Sequence, residues 1–440
     1  MTSPWATARP LCGPVGRIGA TIPKREQTSF AALRHRDFAL LWSGQSVSQV
    51  GDGILTVALA LEALTLTHRP SGFALVIAAR MVPSILLTVV SGVIVDRVSR
   101  QLAMLVSDAV RALAVGLIAG LIATGRLRLW ELVVMSIVFG IADSFFGPAV
   151  NAVMPELLDT ELLVHGNALA STSQQLASGF LGPAVGGVIV GAVGTAWAFT
   201  VDVASFCVSA ICLASMRRTR RATSGSSSFL EDAREGVHYV RTTRWLWLTL
   251  VAAGIANFFG LAPIGVLVPL LVRQVLHAQP YQLGFVFAAG GIGGVLASLI
   301  VGRLGTPPRL IVVMWLAYGA AIVPVCAMAF SPNVWFAGVC VVLEVGLIVY
   351  GDVLFFSMLQ QLVPQHLLGR VSSVLYLLAG GLMPLGTLVA GVLATVLGVR
   401  ATLFLSGLIS CTTTLVLLFP DVRDPAELRS PDRAATASDE

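Results

Sequence analysis

The chain has 440 residues, 56% of them hydrophobic and only 12% charged, with a mean hydropathy of +0.86. Soluble domains carry roughly 25% charged residues, so this composition excludes one. The net charge of +5 sits mostly in tails and loops, where a membrane surface is sufficient to explain it and no nucleic-acid partner is required.

Residues 1–37 are rich in Pro, Gly and Arg and hold no apolar core of the length that a secretory signal needs, so they read as a disordered tail. Twelve apolar segments follow, at about 38–66, 72–95, 102–124, 130–153, 168–192, 195–216, 246–272, 281–303, 309–330, 333–362, 372–397 and 400–420. Each reaches the roughly 20 residues that a helix needs to cross a bilayer. A β-barrel would instead alternate apolar and polar residues over about ten positions. The one long polar interruption, 217–245, opens on an Arg cluster and passes through a Gly/Ser-rich piece. The expected fold is therefore all-α integral membrane, a six-helix half at 38–216, a linker at 217–245, a second six-helix half at 246–420 and a disordered tail at 421–440.

The halves echo each other. Val153–Leu158 (VMPELL) corresponds to Leu362–Leu367 (LVPQHL), and Gly182–Gly194 (GPAVGGVIVGAVG) to Met383–Gly398 (MPLGTLVAGVLATVLG). Of the 28 Lys and Arg residues, 21 fall in the tails and the loops on their side of the bundle, against five in the opposite loops. By the positive-inside rule both termini are cytoplasmic.

The second segment ends in GVIVDRVSR, Gly92 to Arg100. Two arginines suit a cytoplasmic end, but an acid adds nothing to that bias. Asp96 can cap a neighbouring helix N-terminus in one conformation and release it in another, which is what a gate requires; simple loop capping is the alternative. Gly92, Asp96, Arg97 and Arg100 resemble the loop signature of the major facilitator superfamily, with Ser99 where glycine is usual and Gln101 where a base is usual. Gly182, Pro183, Gly186 and Gly187 resemble the fifth-span signature of its proton-coupled exporters; physically, they describe a helix able to bend and to pack closely. Leu33–Gly53, the PAV…MPELL region and the linker phrase FLEDAREGVHYVR are similar to the macrolide-efflux and siderophore-exporter (transmembrane secretion effector) branch. The resemblance covers about residues 30–420. It implies a twelve-helix transporter in a bacterial plasma membrane, working by alternating access, and a gate role for the loop.

Charges inside a membrane segment are costly and point to function by default. Asp108 and Arg111, one turn apart, and Asp143 fall toward the cytoplasmic ends of the third and fourth segments, where they join Arg97 and Arg100 in one expected ion network; structural pairing and substrate contact are the two readings. Asp52 and Arg80 lie about 14 and 15 residues from the cytoplasmic ends of their segments, a match in depth at 1.5 Å per residue, so they form a possible ion pair. Glu344 has no base at its depth in its own half. A carboxylate in apolar surroundings without a counter-charge tends to hold its proton, which makes Glu344 the first proton-coupling candidate, with Asp52 and Asp202 behind it; a hydrogen-bonded core group is the alternative for each. All six histidines fall in tails, loops or segment edges, so a proton route must use carboxylates. Gln174, Gln175 and Asn257, with the Phe145–Phe146, Phe258–Phe259 and Phe355–Phe356 pairs, line a cavity or pack helix on helix. Five cysteines in apolar runs read as small core residues, with no disulfide or metal set.

The only lysine is Lys24, so no phosphate-binding loop with its lysine exists, and no HExxH or GxSxG set points to an enzyme. No metal or other cofactor is expected. The expectation is a monomeric secondary-active exporter of a small apolar or amphipathic compound, such as an antibiotic or siderophore, in exchange for protons. Import of a nutrient by the same fold is the alternative.

Overall fold

The computed structural model describes residues 29–67, 69–95, 98–217, 229–305, 307–364 and 367–423. Among them, twelve helices are long and apolar enough to cross a membrane. In chain order, spans 1 to 6 are Arg36–Leu66, Pro70–Leu87 (in a helix that continues to Val95), Arg100–Ala123, Leu129–Leu157, His165–Val193 and Thr195–Ala214. Spans 7 to 12 are Arg244–Val275, Pro280–Leu304, Leu310–Ala329, Val334–Leu362, Arg370–Leu397 and Val399–Leu418. Each apolar segment of the sequence corresponds to one span, with ends shifted by a few residues. Regular structure among the described residues is helical throughout.

The internal echo is visible in the backbone. Spans 5 and 6 are joined through Gly194 and spans 11 and 12 through Gly398, at φ of +91° and +85°; residues with a Cβ rarely adopt this conformation. Span 2 packs along span 4, and span 8 along span 10. In the first pair Gly140 rides directly on the Arg80 carbonyl, and in the second Gly293 rides on the Val342 carbonyl. A Cβ at either glycine would collide with backbone, so glycine sets the helix separation.

Spans 5, 7 and 11 each contain a widened π-helical turn, at Ala177–Leu181, Asn257–Leu261 and Tyr376–Gly380. A proline follows each turn within four residues, at Pro183, Pro263 and Pro384. The proline ring has no N–H to offer and crowds the carbonyl four residues earlier, so the preceding turn widens.

The two halves meet along spans 2 and 11 and along spans 5 and 8. Both contacts lie toward the end of the bundle opposite the termini. There Ser71 N donates to Thr395 Oγ1 at 3.3 Å, and Gly187 faces Gly284. One buried apolar cluster, including Leu61, Phe73, Leu271, Leu283 and Leu403, crosses between the halves at that end. At the terminus end the core divides: Phe38, Met104 and Val153 belong to one cluster, and Leu246, Trp315 and Leu359 to another.

Within 217–245, the helix Phe229–Thr242 docks on the second half. Val240 is buried among Trp245, Leu362 and Leu367, and Glu235 pairs with Arg370. The expected core role of the cysteines holds for Cys340, which is buried, whereas Cys207 and Cys411 are exposed.

Candidate functional site

Spans 1, 2, 3, 4 and 6 bring their charges together inside the first half. Arg80 Nη2 lies 3.8 Å from Asp52 Oδ1. Arg111 Nη2 reaches Asp108 Oδ1 at 2.5 Å, and its Nη1 reaches Asp143 Oδ1 at 3.4 Å. Both guanidinium groups use the Phe139 ring, Arg80 at 4.3 Å and Arg111 at 6.0 Å from its centroid, and Arg111 also lies 4.4 Å from Phe146 and 4.7 Å from Phe206. An aromatic face attracts a cation without bringing a counter-ion. Asp202 abuts Gly51 of span 1, where an added Cβ would strike its carboxylate. Ser205 Oγ donates to Asp202 Oδ1 at 3.2 Å, while Asp202 Oδ2 is buried without a partner.

The structure separates Asp108, Arg111 and Asp143 from the loop with which the sequence grouped them. Arg111 lies midway along Arg100–Ala123 and Asp143 midway along Leu129–Leu157. Span 4 continues to Leu157, past the point where its apolar run fades, so counting from the sequence placed Asp143 too near its end. These residues belong with Arg80, and Arg100 pairs instead with Glu156 at the end of span 4. Gly92 lies in the last turn of the span 2 helix. Asp96 and Arg97 lie outside the described residues.

Two departures from the loop signature have local explanations. Ser99 caps the N-terminus of span 3, its hydroxyl accepting from Leu102 N at 3.1 Å. Gln101 Nε2 donates to the carbonyls of Leu213 and Met216 at 2.6 and 3.2 Å, which ties the start of span 3 to the end of span 6.

The glycine motif of span 5 divides between two neighbours. Gly182 packs on Val50 and Gly53, and Gly186 on Ile54, so both hold span 5 against span 1. Gly187 faces Gly284 of span 8, across the boundary between the halves, where the Pro183 carbonyl also lies close.

A cavity of about 330 Å³ is lined by spans 7, 9, 10, 11 and 12 of the second half. Glu344 is 1% exposed in its wall. Asp352, eight residues further along span 10, lines the same cavity and accepts from Tyr318 Oη at 2.8 Å. Asn257 also lines it, its Nδ2 donating to the Ala379 carbonyl at 2.9 Å and so joining the widened turns of spans 7 and 11. Phe355 and Phe356 complete an aromatic wall with Trp315 and Tyr318. The oxygen Oε2 of Glu344, Nε1 of Trp315, Oγ1 of Thr249 and Oγ of Ser410 are buried without hydrogen-bond partners, and all four residues line this space.

Sequence reasoning passed over Asp352, Tyr318 and Glu62. The signal for Asp352 was available, since it is a charge inside an apolar run. Glu62, near the far end of span 1, accepts from Thr195 Oγ1 at 2.5 Å.

Comparison with known proteins matches residues 27–436 to the family described as transmembrane secretion effector. Macrolide efflux protein A of Streptococcus pyogenes is 23% identical over 393 residues, covering 88% of this chain and 96% of that protein. The multidrug efflux pump Tap of Mycolicibacterium fortuitum is 27% identical over 385 residues, covering 83% and 90%. Among solved structures, the nucleoside transporter NupG superposes with a TM-score of 0.69 at 9% identity, covering 89% of this chain and 99% of that one. A bacterial homologue of the iron transporter ferroportin, in an inward-facing state, gives 0.68 at 18% identity, covering 87% and 98%.

Proposed function

The chain belongs to the transmembrane secretion effector family of the major facilitator superfamily, and on that premise we propose that it is a proton-coupled exporter of a small amphipathic compound. The observation that carries this reading is the divided core. One apolar cluster seals the two halves together at one end, while each half keeps its own cluster at the end bearing the termini. With the termini in the cytoplasm, as the arginine distribution argues, the cavity of the second half loads from the cytoplasm. A protein of similar fold has been solved in an inward-facing state, and the curated relatives are efflux proteins.

Alternating access then requires the sealed end to open and the terminus end to close. Span 5 is suited to that exchange, since Gly182 and Gly186 hold it to span 1 while Gly187 forms a bare contact with span 8. Asp96, Arg97 and Arg100 act at the closing end. Glu344 in the cavity, with Asp52 and Asp202 in the first half, supplies the carboxylates through which protons exchange for substrate.

Everted membrane vesicles test direction and coupling together. Upon acidification of their interior, they should accumulate a macrolide or a fluorescent amphipathic dye, and a protonophore should abolish the accumulation. Accumulation confined to right-side-out vesicles would establish import instead.

A further inference from the structure

We infer that the second-half cavity is a site for an amphipathic organic cation, with Glu344 as its deep counter-charge and Asp352 as the acid nearer the terminus end. This deepens, and rests on, the reading of that cavity as the substrate site.

The argument begins with an asymmetry between the halves. In the first half Asp52, Asp108 and Asp143 each have a guanidinium within 4 Å. In the second half Glu344 and Asp352 share one cavity, and no Arg, Lys or His is among the residues that line it. The bases of spans 7, 8, 11 and 12 stand at helix ends: Arg244, Arg273, Arg303, Arg370 and Arg400. The carboxylate oxygen Glu344 Oε2 is buried with no partner of any kind. A buried charge without a partner is costly, and a proton or a cation relieves it most fully. An anion would be repelled, and a neutral hydrogen-bond donor would offset the charge only in part, whereas a cation compensates it directly.

The rest of the lining specifies the rest of the ligand. Trp315, Tyr318, Phe355 and Phe356 present aromatic faces, which favour apolar groups attached to a cationic centre. Trp315 Nε1, Thr249 Oγ1 and Ser410 Oγ are donors without acceptors, so the ligand also brings hydrogen-bond acceptors. The class is an oxygen-bearing amine or quaternary ammonium compound of drug size, which a space of about 330 Å³ accommodates. Asp352 lies about 12 Å from Glu344 along the helix axis, toward the terminus end. It meets the cation first, held in place by the Tyr318 hydroxyl.

The test uses the full chain in lipid nanodiscs and equilibrium dialysis against empty nanodiscs. Three probes of similar bulk serve: tetraphenylphosphonium, tetraphenylborate and neutral triphenylphosphine oxide. Tetraphenylphosphonium should bind saturably and tetraphenylborate should not. Glu344→Gln should weaken the cation by about tenfold or more while leaving the neutral probe within about twofold, and Glu344→Asp should keep the preference for the cation. Equal affinity for the two ions, or an unchanged cation affinity in Glu344→Gln, overturns the inference. Ala253→Trp, which fills the cavity, separates the two readings. If it removes binding of the neutral probe while charge makes no difference, the cavity is the substrate site and the cation class is wrong. If it leaves binding of every probe intact, the cavity is not the site and both readings fall.

Discussion

Gly187 of span 5 is a point at which a single methyl group would disturb the sealed end. A Cβ there would stand 2.8 Å from Gly284 Cα and 3.1 Å from both Gly284 N and Tyr281 O. Carbon atoms settle at about 3.5–4.0 Å, so the two helices must part by roughly 1 Å. The opposing atoms are backbone and cannot rotate away. Overpacking of this kind costs about 1–3 kcal/mol, and that cost falls on the conformation in which the halves touch at this end. Gly187→Ala should therefore shift the balance toward the opened state by roughly 5- to 150-fold. Spin labels at Arg126 and Pro332, both exposed at that end, in a cysteine-free background, report it as a longer distance distribution. Gly191→Ala is the matched control, because its Cβ would meet Tyr281 at an ordinary 3.8 Å. An unchanged distribution in Gly187→Ala, or an equal shift in Gly191→Ala, would refute the reasoning.

Three further outcomes are expected. Arg111→Met strands Asp108, which has 0% side-chain exposure, and should cost about 3–5 kcal/mol in thermal unfolding; adding Asp108→Asn should recover most of it, and a single variant as stable as wild type contradicts the pairing. Gln101→Ala leaves the Leu213 and Met216 carbonyls without their donor, a loss of roughly 1–3 kcal/mol, whereas Gln101→Arg restores two donors; equal melting of all three proteins would sink the link. On the helix between the halves, Glu235→Ala breaks a partly exposed pair and should change stability by less than about 1 kcal/mol. Val240→Asp puts a charge into an apolar cluster and should cost several times more, at least about 3 kcal/mol; the reverse order in denaturation would show that the helix is held by charge.

The number of spans, their limits to within a few residues and the repeated halves were legible in the sequence. Hydropathy is a sum over consecutive residues, and a bilayer tests each stretch of about 20 residues by itself. The family was legible for the same reason, because the Gly92–Arg100 loop and the Gly182–Gly187 run are local strings. Depth was readable for Asp52 and Arg80, which counting matched and which stand 3.8 Å apart, though not for Asp143.

Which side chains meet across spans was decided only by the tertiary structure. Arg111 keeps the Asp108 and Asp143 with which the sequence grouped it, but it stands midway along its span, apart from Arg100, which pairs with Glu156. Glu344 and Asp352 face one cavity because the rotation of span 10 is set by the close approach of Gly293 to the Val342 carbonyl and by the widened turns of spans 7 and 11, tied through Asn257. Such rotations depend on atoms far apart in sequence, 122 residues for Asn257 and Ala379, which a local hydropathy sum does not record. Composition alone thus decides that this chain lives in a membrane, and close packing between glycines decides which of its charges stay without a partner.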